Sequence, residues 1–168
     1  MTYLTIDEIH LLIAECDKSR AGDLTAIVKI CLATGARWSE AESLKGNQIR
    51  AGQIIYVKTK GKKNRALPIT EKLQSDLLSC RKAQLLFKPC YSAFRKAMQR
   101  AGIETPAGQL MHVLRHTFAS HFMMNGGNIL VLQRILGHTD IKVTMRYAHF
   151  APDHLSEALR LNPLNIMD

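Results

Sequence analysis

The chain has 168 residues, enough to bury one core and too few for two large ones, so a single compact unit is expected. Its 23 Lys and Arg against 14 Asp and Glu leave a formal net charge of +9, which favours a polyanionic partner, nucleic acid first. No apolar run approaches the ~18 residues of a bilayer span and no leader pattern opens the chain; Cys16, Cys31, Cys80 and Cys90 lie far apart without a C-x-x-C pair, so a cytoplasmic protein with reduced thiols is expected, not a disulfide or zinc framework.

Thr5 followed by Glu8 forms a capping box that starts a helix from Leu4 to about Ser19, with Ile6, Ile9, Ile13 and Cys16 on one face. Gly22 and Asp23 restart the chain into a largely buried helix, Leu24 to Thr34, closed by Gly35. Arg37 then stands at the start of a helix with Glu40 three residues on. A cation is awkward at a positive helix end. It is either a surface arginine paired with Glu40, or a guanidinium and a helix N-terminus jointly aimed at a phosphate.

Between Asn47 and Ile69 the periodicity changes to β-branched and apolar residues, with Ala51-Gly52 as a turn. Three short antiparallel strands follow from that pattern. The tip of the last hairpin carries Lys58, Lys60, Lys62, Lys63 and Arg65, a run that is either simply solvated or grips phosphates without sequence preference. Thr70 caps a helix to about Cys80 with Leu73, Leu77 and Leu78 inward; residues 81–90 are ambiguous. A helix from Ser92 to Ala101 stops at Gly102, carrying Phe94 and Met98 inward.

Beyond a Pro106 and Gly108 loop comes Met111-His112-Val113-Leu114-Arg115-His116-Thr117-Phe118. On a helix His112 and Arg115 share one face, while Leu114, Phe118, His121 and Phe122 pack on another. His112 and His116 also make an H-x-x-x-H pair, but the glutamate of the H-E-x-x-H type and a third ligand are missing, so no metal site is expected. Asn128 caps a helix with Ile129, Leu132, Ile135 and Leu136, and Gly137 ends it. His138 follows, as a cap histidine or a ligand-facing one. Asp140 or Thr139 opens a helix that includes Tyr147, which by itself reads more readily as packing than as a nucleophile. Asp153 caps a final helix with Leu155, Leu159 and Leu161, stopped by Pro163.

Three strings taken together, TGARWSEAESL, HVLRHTFASH and LGHTDIKVTMRYAHF, resemble the boxes of the tyrosine recombinases, the phage integrase family. The steps of 26 positions from His112 to His138 and nine from His138 to Tyr147 fit that family, while the 75 from Arg37 to His112 are short for it. The resemblance covers roughly residues 5–155. It implies a mainly α fold with a small three-stranded antiparallel β-sheet (α+β), the DNA breaking-rejoining catalytic fold. It also implies that 1–168 is a single catalytic domain, the C-terminal part of a larger integrase whose N-terminal DNA-binding domains are absent from this chain, with 152–168 a helix and tail exchanged between protomers.

The chemistry implied is site-specific recombination of double-stranded DNA through a 3′-phosphotyrosine, by self-associating protomers in a dimer or a DNA-bound tetramer. Tyr147 is the nucleophile, Arg37 and Arg115 clamp the phosphate, His138 hydrogen-bonds it, His112 assists proton transfer, and Lys60, with Lys62 as fallback, protonates the leaving oxygen. Lys58, Lys62, Lys63 and Arg65 bind the DNA backbone. No cofactor or membrane is implied, in keeping with the lack of a clustered acidic Mg²⁺ cage and of a G-x-x-x-x-G-K-[ST] loop. Two other readings stay open: a non-catalytic regulator using residues 128–147 as a helix-turn-helix, and a type IB topoisomerase-like enzyme.

Overall fold

A computed structural model describes residues 2–57, 64–78, 85–153 and 155–166. Helix α1 (Ile6–Asp17) begins where the capping box places it: the Thr5 N–H donates to Glu8 Oε2 at 2.7 Å and the Glu8 N–H to Thr5 Oγ1 at 3.3 Å. The buried face is rotated from the expected stripe. Leu12 and Cys16 are buried, whereas Ile6 is 55% exposed. Apolar residues surround this helix on more than one side, so the packing of α1 against α2 (Leu24–Thr34) and α5 (Tyr91–Arg100) chooses the face, and periodicity alone does not.

Helix α2 buries Leu24, Ile27, Val28, Ile30, Cys31 and Thr34, on more than one face, and ends on Gly35 at φ 64°. A Cβ at Gly35 would stand 2.5 Å from Phe118 Cδ1 and 2.9 Å from Leu136 Cδ2, so the left-handed turn and the close approach of two later helices both demand glycine. Helix α3 (Trp38–Glu42) follows at once, and Trp38 stacks on Phe94 of α5 with ring centroids 4.6 Å apart.

The sheet is β1 (Ile49–Arg50), β2 (Gln53–Tyr56) and β3 (Arg65–Pro68), antiparallel and in chain order. Ala51 and Gly52 both take positive φ in the first turn, which a two-residue hairpin twisted like its strands requires. Ile54 and Tyr56 face the core, opposite Leu67 and Arg65.

Helix α4 (Glu71–Leu78) takes its cap from Thr70, whose Oγ1 accepts the Leu73 N–H at 3.2 Å; the expected end at Cys80 lies outside the described residues, as does Cys80 itself. Cys16, Cys31 and Cys90 are buried free thiols, and burial pushes Cys16 to about 12 and Cys90 to about 11.

Helix α6 (Val113–Met124) packs against α2, α7 (Ile129–Leu136) packs against α6 and α8 (Ile141–Met145), and the 3-10 turn Ala148–Phe150 returns to α6. Asn128 and Asp140 cap α7 and α8 as read from sequence. Tyr147 lies past the end of α8, at the head of a 3-10 turn, not inside the helix expected there. Five residues are too few to reach it, because the buried Thr144 and Tyr147 draw the chain inward after Met145.

The C-terminal helix α9 (Glu157–Leu161) starts later than the Asp153 cap predicts; Asp153 instead closes a local turn onto the Leu155 N–H at 3.0 Å. Leu155, Leu159, Leu161 and Leu164 remain exposed.

The core has two parts. A large cluster joins α1 to α5, the sheet and the start of α6; a smaller one gathers Ala119, Met123, Leu132, Leu136 and Tyr147. Among the described residues no helix is long and apolar enough to cross a membrane.

Candidate active site

Among the described residues, Arg37, Arg115, His138 and Tyr147 lie close to one another. The turn after α2 supplies the first of them. Arg37 caps α3 with its own backbone N–H donated to Glu40 Oε2 at 2.9 Å, while its Nη1 reaches Glu40 Oε1 at 3.4 Å. Its side chain is still 43% exposed, so the pairing with Glu40 and an outward-facing guanidinium coexist.

Glu40 Oε1 also receives Arg65 Nη2 at 2.7 Å. Burial works against the charged carboxylate, but the Arg37 backbone N–H and the two guanidinium groups outweigh it and hold Glu40 below the usual range. Arg65 departs from expectation. It was placed with the DNA-gripping residues of the basic tip, yet its side chain is 6% exposed. Its Nη1 donates to the Ile135 carbonyl at 2.7 Å and its Cζ lies 5.1 Å from the centre of the Tyr56 ring. Arg65 is a strut tying β3 to α3 and the end of α7. Position in a basic run reports charge, not which way a strand residue faces.

Arg115 is 5% exposed. Nη1 donates to the Gly35 carbonyl at 2.8 Å, and Nη2 to the Leu136 carbonyl at 2.7 Å and to His138 Nε2 at 3.0 Å. Desolvation, then the nearby positive charge of Arg37, lower its pKa to about 10, so it remains a cation at neutral pH. The same proximity places the two guanidinium groups in one neighbourhood, since Arg115 is anchored two residues before Arg37. Three of the five guanidinium N–H groups are accounted for by these bonds.

His138 follows the left-handed Gly137 that ends α7 at φ 66°. A guanidinium can only donate, so Nε2 of His138 accepts from Arg115 and the ring proton sits on Nδ1, donated to Thr144 Oγ1 at 2.9 Å. Thr144 is buried in α8.

Tyr147 is 2% exposed. Its hydroxyl lies 2.7 Å from Nδ1 of His116, the residue after Arg115 on α6. Burial raises the phenol pKa, and the cations Arg115 and Arg146 act against the rise. His116 is lowered to about 4, by desolvation first and then by His112, Arg146 and Arg115, so its ring is neutral at neutral pH. His112 caps α6 in an exposed position, its ring centroid 6.1 Å from that of His116.

Arg37, Arg115, His138 and Tyr147 are thus brought together, with His112 at the rim and within reach of His116. Lys58, Lys60, Lys62 and Lys63 lie outside the described residues. Among the described residues no three His, Cys, Asp or Glu side chains gather as a metal would need, so the His112 and His116 pair has no third ligand there. The sequence reading missed His116 beside the phenol, Glu40 as a hub and Thr144 behind His138. Only His116 had a usable signal, its place one residue after Arg115 and one helical turn after His112.

A model of the phage integrase family matches residues 2–154. The integrase of Escherichia phage 186 is 64% identical over 98% of this chain and 48% of its own length; the chain spans about half the length of the phage integrases it matches. The catalytic domain of bacteriophage HP1 integrase superposes with a TM-score of 0.93 at 57% identity, covering 98% of this chain and 96% of that one. The XerH site-specific recombinase bound to its difH substrate, a pre-cleavage complex, is similar at a TM-score of 0.72 and 26% identity, covering 96% of this chain and 54% of that one.

Proposed function

The chain belongs to the phage integrase family, and on that premise we propose that it is the catalytic domain of a site-specific DNA recombinase that breaks and rejoins strands through a phosphotyrosine. The observation that carries this reading is the junction at Gly35: Arg115 is bonded to the Gly35 carbonyl and to His138, Arg37 stands two residues further on, and Tyr147 lies one residue across α6 on His116.

In this reading one DNA phosphate sits between Arg37 and Arg115. A free phenol has a pKa of about 10, so about one in a thousand is ionised at pH 7, a deficit of about 4 kcal/mol. The two cations lower that cost by neutralising the charge that builds on the non-bridging oxygens. Arg37 and Arg115 are therefore each worth about 10³ to 10⁵ in rate, the range of a phosphoryl-transfer arginine.

Tyr147 attacks in line and forms a 3′-phosphotyrosine. The departing 5′ oxygen takes a proton from a general acid, a role that the family resemblance gives to Lys60, or to Lys62. His138 orients Arg115 through Nε2, and the family resemblance also gives it a hydrogen bond to the phosphate. The bond energy kept in the phosphotyrosine lets a 5′-hydroxyl of another strand reverse the step without ATP.

The family match over residues 2–154 and the gathering of Arg37, Arg115, His138 and Tyr147 support the enzyme over a helix-turn-helix regulator. Protomers associate through the exposed leucines beyond Tyr147. The 1–168 span as one domain of a longer integrase, acting on double-stranded DNA in the cytoplasm, completes the proposal.

A nicked suicide duplex tests it. The wild-type chain should yield an SDS-resistant protein–DNA adduct that Tyr147→Phe abolishes; sequence-specific binding with no adduct would leave a regulator, and plasmid relaxation without strand exchange a topoisomerase.

A further inference from the structure

We propose that His116 is a catalytic residue, the hydrogen-bond acceptor that docks the Tyr147 phenol and takes its proton as the phosphotyrosine forms. The inference deepens the recombinase reading and rests on it.

Geometry comes first. The 2.7 Å between Nδ1 and the phenol oxygen is a full hydrogen bond, and among the described residues it is the one made by that hydroxyl. His116 is fixed in the first turn of α6, its backbone N–H donating to the His112 carbonyl at 2.8 Å. Its neighbour Arg115 is bonded to both halves of the site. The residue that holds the nucleophile and the residue that holds the phosphate are therefore adjacent on one rigid helix. His112, the histidine that sequence reasoning favoured for proton transfer at the tyrosine, stands behind His116 with 6.1 Å between ring centroids, and so tunes His116 and faces solvent at the rim.

Charge comes second. The groups that face His116 are His112 and Arg115 on its own helix, Arg146 after α8, and the Tyr147 phenol. Burial first, and then the cations Arg146 and Arg115, keep the ring neutral, which leaves a lone pair for the phenol proton but makes it a weak base. A DNA phosphate between Arg37 and Arg115 brings the negative charge that offsets those cations, so the ring gains basicity when substrate is in place.

The step balances. The Tyr147 O–H breaks as its proton passes to Nδ1, the phenol oxygen bonds to phosphorus, and the P–O5′ bond breaks with its electron pair leaving on oxygen, which takes a proton from the general acid. His116 gains one proton and the acid loses one. Ligation returns both.

The test uses the full chain and a nicked duplex bearing a site selected from a random DNA pool with the wild-type protein. His116→Asn keeps a polar group near Nδ1 but cannot take a proton; His116→Ala removes both functions. Each is expected to slow adduct formation at pH 7 by about 10²- to 10⁴-fold, to be restored in part by added imidazole in the alanine variant, and not to be rescued by a 5′-bridging sulfur, which needs no general acid. Nitrogen-15 NMR of histidine-labelled protein without DNA should show His116 protonated on Nε2, with its Nδ1 signal shifted by Tyr147→Phe.

An asparagine variant within about threefold of wild type, full rescue by the sulfur leaving group, or an Nδ1–H tautomer would overturn the assignment while the recombinase reading stands. A wild-type chain that forms no adduct with any member of the pool would overturn the reading itself, and the assignment with it.

Discussion

Arg115 holds three separate parts of the chain with one planar group: the end of α2, the end of α7 and the His138 ring. Lysine preserves the charge but not the fork. Arg115→Lys should therefore leave at least one buried carbonyl unpaired and lower unfolding free energy by roughly 3 kcal/mol, read from a urea melt, and also slow cleavage. Two other groups set the acid limit. Desolvation and surrounding cations lower His116 to about 4, so between the ordinary histidine value of about 6.5 and 4 the unfolded chain binds more protons than the folded one. Glu40, where burial is outweighed by the Arg37 N–H and Arg65 so that its carboxyl stays below the usual range, extends the loss further down. Stability should be complete above pH 6.5 and fall as pH drops through this window; melting temperatures at pH 7, 6, 5 and 4.5 should flatten above pH 4.5 in His116→Asn. At this scale the sequence carried the identities of the paired groups and little of their pairing. Arg37 pairs with Glu40, as one of its two readings has it, and keeps a half-exposed side chain, whereas Arg65 went astray because a lysine-rich run does not reveal that one member turns inward.

Elements were the most legible level where local chemistry decides them. The Thr5 box, the Asn128 and Asp140 caps, and Gly35 and Gly137 as helix ends are all short-range devices, and all stand where they were read. What failed depended on distant partners: the rotated face of α1, and the early end of α8 that leaves Tyr147 in a 3-10 turn. Gly35 belongs to both classes. Its positive φ was foreseeable, but the crowding by Phe118 and Leu136 required the tertiary fold. Gly35→Ala should cost about 1–2 kcal/mol for the left-handed backbone and about 1–3 kcal/mol for overpacking. Because the Gly35 carbonyl also anchors Arg115, adduct formation should drop further than the melting temperature implies. A variant destabilised by less than about 1 kcal/mol would show that the two helices can retreat without cost.

At the scale of the molecule, most of the chain folds around its own core, but the leucines beyond Tyr147 do not. Leu155, Leu159, Leu161 and Leu164 are exposed, and Ile6, Ile9, Leu32, Phe118 and Phe122 line an apolar groove of about 530 Å³ beside α1 and α6. Burying one leucine gains about 1.5–3 kcal/mol, so four give about 6–12 kcal/mol, against roughly 4–15 kcal/mol for immobilising two bodies. The two ranges overlap, so under the proposed exchange association of free protomers would stand near its threshold, and DNA holding them side by side would tip it. Removal of residues 152–168 is then expected to leave unfolding free energy within about 0.5 kcal/mol of the full chain, since these leucines stay mostly exposed in their own protomer. The truncated chain should sediment as a monomer at every concentration, while the full chain shifts toward dimer in the upper micromolar range and does so more readily on a duplex with two sites. Equal sedimentation of both forms on that duplex would remove the tail from the interface; a large fall in stability on truncation would mean that it packs at home.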